Sequence, residues 1–166
     1  MEDLLAPGLR VVIAGTIALW HREGRPLWYD GAGTKFWVLL HESGLTSALL
    51  DPESADQVLR HGVGLTDLVR TEHAVRGEPP VFDLAGFVAR LRAAKPPAVA
   101  FVSKTAASAY ARAAGERQPR DYGVLSWTVG GIPAFVLPGP SGANNGMPLP
   151  LRIALWRDLP DFLETL

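Results

Sequence analysis

Cysteine is absent from this 166-residue chain, which excludes disulfides, thiolate zinc sites and iron–sulfur clusters together. Long apolar runs are missing as well: none approaches the roughly 20 residues that a membrane span requires. The opening Met1-Glu2-Asp3-Leu4-Leu5 is acidic where a secretory leader would be basic. A cytoplasmic protein with no membrane partner is therefore expected. Neither sign of charge is in excess, since 16 Lys and Arg against 17 Asp and Glu leave a net charge of −1. Nucleic-acid binding commonly leaves a basic footprint, so this balance weighs mildly against it. It still leaves material for one local basic face in Arg22, Arg25, Lys35, Lys104, Arg112, Arg117 and Arg120.

Several motifs are missing too. His21, His41, His61 and His73 stand far apart with no close-spaced ligand pair, so no metal site is expected. Neither a G-x-G-x-x-G turn nor a Walker loop occurs, which removes support for a nucleotide cofactor. Gly139-Pro-Ser141-Gly-Ala143 has the outline of a nucleophile elbow but ends in Ala where glycine is wanted. No histidine follows residue 73 to act as its base, so a serine hydrolase is not expected.

What is present describes one globular domain over residues 1–166, with 48% hydrophobic and 20% charged residues. Continuous apolar runs at Leu9 to Ala14, Pro97 to Ser103 and Ala134 to Leu137 suit strands buried on both faces, with Gly64 to Val69 a fourth. Leu125 to Val129 fits a hairpin arm around Gly130-Gly131. Helical patterns lie between them. Phe36, Trp37, Leu39 and Leu40 share a face, and Leu84, Phe87, Val88 and Leu91 hold the i, i+3, i+4, i+7 spacing. Asp51-Pro52 starts a helix that Gly62 stops, and an alanine-rich helix from Lys104 closes at Gly115. Leu149 to Leu166 reads as a helix interrupted at Pro160. Strands alternating with helices predict an α/β fold, a three-layer sandwich around a mainly parallel sheet.

The apolar run Ala134 to Leu137 breaks at Pro138 into a small, polar, glycine-rich loop through Gly146. Such a loop is either an ordinary surface turn or a set of backbone N–H groups presented to a phosphate or a flat ring.

Four segments line up along the chain: Leu5-Ala-Pro-Gly-Leu-Arg-Val-Val-Ile-Ala-Gly-Thr16, Tyr29-Asp-Gly-Ala-Gly-Thr-Lys-Phe-Trp37, Gly62-Val-Gly-Leu-Thr-Asp-Leu-Val69 and Leu137 to Gly142. In order and spacing the chain resembles the mismatch-specific uracil/thymine-DNA glycosylases, a branch of the uracil-DNA glycosylase superfamily. The likeness runs from Leu5 to the last helix. It departs from the family at Gly15-Thr16-Ile17-Ala18-Leu19, where Gly-Ile-Asn-Pro-Gly would supply a water-positioning asparagine, and at Thr34-Lys35-Phe36-Trp37, where the family has Asn-Arg-Phe-Trp. A subgroup that begins the first motif Gly-Thr also carries Gly-Leu-Thr-Asp-Leu, whose aspartate takes over catalysis. This chain keeps that segment at Gly64 to Leu68 but lacks the subgroup's Ala-Pro-Ser.

The resemblance implies a monofunctional DNA glycosylase that needs no cofactor, acts as a monomer, and takes DNA carrying uracil or another deaminated base. Asp67 would be the catalytic carboxylate, with Asp30 the second candidate. Gly15, Thr16 and Ile17 would offer N–H donors to the base and Tyr29 would stack on it. Lys35, Lys104, Ser141 and Gly142 would meet phosphate, and Ala143, Asn144 and Asn145 would fall at the wedge that fills the vacated gap. Chemistry suits these residue types: breaking the N-glycosidic bond needs an ionised carboxylate near the cationic sugar and a flipped base held by an aromatic ring. Plainer roles stand beside each: Asp67 as a turn cap, Asp30 as a solvated turn residue, Tyr29 as core, Lys104 as a helix opener. A damaged-DNA binder without activity, or a nucleoside hydrolase on the same scaffold, are the alternative functions.

Overall fold

The computed structural model describes residues 1–17, 27–70, 81–142 and 146–166. In chain order the elements are β1 (Val11–Ile17), α1 (Phe36–Glu42), a 3₁₀ helix (Pro52–His61), β2 (Val63–Val69), α2 (Leu84–Ala94), β3 (Val99–Val102), α3 (Lys104–Ala114), β4 (Gly123–Val129), β5 (Ile132–Leu137) and α4 (Leu149–Leu163). They form one five-stranded sheet in the order β2-β1-β3-β5-β4. The pairs β1–β2, β1–β3 and β3–β5 are parallel, and only β4 runs antiparallel, through the hairpin with β5. The outer edge of β2 is covered by the N-terminal segment, where Leu4 and Leu65 exchange two backbone hydrogen bonds of 2.9 Å.

Alternation along the buried strands divides the core in two. Val11, Ile13, Val63, Leu65, Ala100, Phe135 and Leu137 face α1 and α4, where Phe36, Leu39, Leu40, Trp156 and Leu159 meet them. Val12, Ala14, Val99, Phe101, Ala134 and Val136 face Phe87 and Leu91 of α2 and Tyr110 of α3. Each such large side chain contributes about 1.5–3 kcal/mol on leaving water. Helices on both faces complete the three-layer α/β/α sandwich expected from the sequence.

Local signals also hold. Asp51 caps the helix after it through Ser54 N at 2.9 Å, and Gly62 and Gly115 close their helices in the left-handed region. Two details differ from the sequence reading. Pro52–His61 is a 3₁₀ helix, with Ser54 outside helical geometry. The last helix is not broken at Pro160 but continues to Leu163. Trp156 and Leu159 before the proline and Phe162 after it all pack on the sheet side, Phe162 against Phe135 at 5.5 Å. That packing outweighs the hydrogen bond the proline removes.

Candidate functional site

The connection leaving β1 heads toward β2, whereas that leaving β3 heads toward β5 and β4. In open α/β sheets such a reversal, here outside the carboxyl ends of β1 and β3, is the place where ligands bind. Gly15, Thr16 and Ile17 end β1 on one side of it. Ser103 ends the other side, at φ 110°, with its hydroxyl capping α3 through Ala106 N at 3.2 Å. A non-glycine residue in that region is strained, and such strain is characteristic of sites.

Asp67 reaches this edge of the sheet by strand periodicity. Val63 and Leu65 face α1 and α4, so Asp67, two residues on, points to the same side. Its Cα partner across the ladder is Gly15. A Cβ on Gly15 would stand 2.4 Å from Asp67 Oδ1, so no other residue can occupy that position while the carboxylate stays where it is. The missing side chain at 15 makes the berth for the carboxylate at 67. Behind the strand the backbone is clamped: Arg90 Nη2 donates to the Asp67 carbonyl at 2.8 Å. Arg90 Nε lies 2.9 Å from Asp3 Oδ2, an ion pair without hydrogen-bond alignment, and Arg70 Nη1 approaches the same oxygen at 3.5 Å. The fully buried Thr66 donates its hydroxyl to Asp3 Oδ1 at 3.0 Å.

Tyr29 arrives from the loop before α1. Its backbone is left-handed, φ 48°, and its carbonyl accepts from Trp37 Nε1 at 3.2 Å. One ring face lies on Phe36, with centroids 3.6 Å apart and planes 7° from parallel. Phe36 in turn meets Trp156 edge-on. The Tyr29 hydroxyl is buried without a hydrogen-bond partner and lies 3.3 Å from the Cβ position of Gly15. Burial first, and the neighbouring Asp67 carboxylate second, hold its pKa well above the usual tyrosine value. Asp30 follows, half-buried, and makes no hydrogen bond or ion pair among the described residues.

The loop after β5 closes onto the Tyr29 loop. Lys35 N donates to Pro140 O at 2.8 Å, and a Cβ on Gly142 would stand 2.8 Å from Gly33 O. From beneath, Arg152 Nη1 donates to Ser141 O at 3.2 Å and Trp156 Nε1 to Pro138 O at 3.0 Å. Arg152 is buried, and its Nε has no hydrogen-bond partner. A guanidinium there, in the first turn of α4, adds positive charge to a helix end that already favours anions. Ser141 is exposed at the tip.

Asp67, Gly15 and Tyr29 are thus brought together, and Lys35 and Gly142 join the adjoining loops. Lys104 is held elsewhere: its Nζ bonds the Arg120 carbonyl and sits 4.5 Å from the Tyr122 ring centroid. Ala143, Asn144 and Asn145 lie outside the described residues, as do Arg22 and Arg25 of the basic set. Sequence reasoning missed Asp3, Arg90, Arg152 and Ser103. Only Ser103 carried a readable signal, a helix cap before an alanine-rich run. Among the described residues no group of three or more histidines and carboxylates could hold a metal ion. No helix among them is long and apolar enough to cross a membrane.

The fold has solved counterparts. One is a solution NMR structure from Methanosarcina acetivorans of a protein provisionally named a uracil DNA glycosylase. The two agree with a TM-score of 0.58 at 18% identity, over 98% of this chain and 96% of that one. At the sequence level, residues 2–160 match the family model of the Uracil DNA glycosylase superfamily. With that match spanning nearly its whole length, the chain belongs to the uracil DNA glycosylase superfamily.

Proposed function

We propose that this protein is a monofunctional DNA glycosylase of the mismatch-specific branch, hydrolysing the N-glycosidic bond of uracil or a related deaminated base. The observation that carries the reading is the Asp67 carboxylate set over Gly15 at the carboxyl edge of the sheet. Asp67 acts in this reading as the carboxylate, the form an aspartate ordinarily takes at neutral pH. It stabilises the oxocarbenium character of the sugar and orients a water toward C1′. Gly15, Thr16 and Ile17 offer backbone N–H groups to the departing base. The ring face of Tyr29 turned away from Phe36 stacks on the flipped base. Ser141 and Gly142, over the buried Arg152, grip a phosphate, with Lys35 beside them and Ala143, Asn144 and Asn145 at the wedge. Asp30 is the reserve carboxylate, and Lys104, engaged with Arg120 and Tyr122, takes no part. The reaction needs no cofactor and one copy of the chain.

The test is incubation with oligonucleotides carrying uracil, hypoxanthine or a thymine mismatch, followed by alkali. Alkali-labile sites that vanish in Asp67→Asn support the proposal. Their persistence in that variant, with loss in Asp30→Asn, moves the role to Asp30. A protein that retards uracil-containing DNA but leaves no labile site is a binder rather than an enzyme.

A further inference from the structure

The Tyr29 hydroxyl is dispensable to the fold by every contact the ring makes. Stacking on Phe36, the edge contact beyond it and the bond from Trp37 to the Tyr29 carbonyl would all survive in phenylalanine. The hydroxyl itself is buried with no partner, which costs stability rather than adding to it. Its position is nonetheless fixed. It and Asp67 Oδ1 meet over Gly15, 3.3 Å and 2.4 Å from the point where a Cβ would stand. Held in its neutral form by burial and by the carboxylate, the phenol keeps both a proton and acceptor lone pairs at any working pH.

Resting on the glycosylase reading above, we infer that Tyr29 is a catalytic residue as well as a stacking platform: its hydroxyl and Asp67 together hold the attacking water. The water donates one hydrogen to the Asp67 carboxylate and the other to Tyr29 Oη, which leaves its lone pair directed at C1′. As the water oxygen bonds to C1′, the C1′–N bond breaks and its electron pair leaves with the base. The water's proton passes to Asp67 and then to the departing base, so water and nucleotide give free base and an abasic sugar. Tyr29 changes neither charge nor proton.

The experiment compares wild type, Tyr29→Phe and Asp67→Asn on one uracil-containing oligonucleotide, with kcat, KM and the melting temperature of each. The expected result for Tyr29→Phe is a kcat about 100-fold lower, KM little changed, and a melting temperature equal to or above wild type. A structural role alone would instead lower melting temperature and activity together. Tyr29→Phe with wild-type kcat overturns the inference and, if Asp67→Asn is inactive, leaves the glycosylase reading standing. Wild type that releases no base from any of the substrates overturns both.

Discussion

The two sides of the end of β2 are built on opposite terms. On the α2 side, Asp3, Thr66, Arg70 and Arg90 bring opposite charges together, and Arg90 carries the clamp onward to the Asp67 carbonyl. On the α1 side, a buried hydroxyl goes unmatched, Tyr29 sits in a left-handed backbone, and Gly15 gives up its side chain to make room for a carboxylate. Paired groups on the first side hold the strand. The unmatched hydroxyl and the strained backbone on the second are kept against the interest of stability, as at a candidate site. The first side makes the second possible, because a strained constellation persists only where the surroundings over-determine it.

That contrast can be broken from either side. The largest effect is expected at Gly15→Ala, whose methyl would displace the Asp67 carboxylate; base release should fall by at least about 100-fold, as for loss of one transition-state contact. Removing the opposite support comes next. Arg90→Met leaves the Asp3 carboxylate short of its partner and should cost about 2 kcal/mol of unfolding free energy in urea. Arg152→Met should weaken binding to an abasic-site oligonucleotide and reduce its salt dependence, since the grip loop would lose its buried cation. A drop in stability with an unchanged salt slope would make Arg152 purely structural.

A smaller effect sharpens the comparison by pH. Tyr29 has a raised pKa, so the native state keeps its proton at pH values where the unfolded chain has lost it. Through this group the folded state loses stability only as pH rises beyond about 10, the ordinary tyrosine value. Tyr29→Phe should therefore show a shallower alkaline decline in melting temperature than wild type. Tyr110, raised mainly by burial and then by Glu116, keeps part of the slope in both proteins. The smallest effect concerns substrate form: on the proposed assignment of Ala143 to the wedge, single-stranded and mismatched duplex substrates should be cut at similar rates. A strong duplex preference would contradict that expectation.

Most of the scaffold was legible in the sequence because the buried parallel strands read as unbroken apolar runs and the helix ends carry their own caps. Asp51, Gly62 and Gly115 act within a few residues of themselves, so their meaning is local. Half of the site is legible for the same reason, since period two alone sends Asp67 to the face of Val63 and Leu65. The other half is not. Asp3 meets Thr66 across 63 positions, and Arg152 reaches the loop from a helix where an arginine reads as solvent-exposed. The Gly33–Gly142 contact exists only after two distant loops close. Pro160 misled because the packing of Trp156, Leu159 and Phe162 overrides a local rule.

On the proposed reading, the carboxylate over Gly15 performs the chemistry. A single-turnover measurement of base release from a uracil-containing strand, paired with gel retardation, tests it on wild type and Asp67→Asn. Wild type should leave alkali-labile sites and Asp67→Asn none, with equal retardation by both. Base release by Asp67→Asn at the wild-type rate would contradict it.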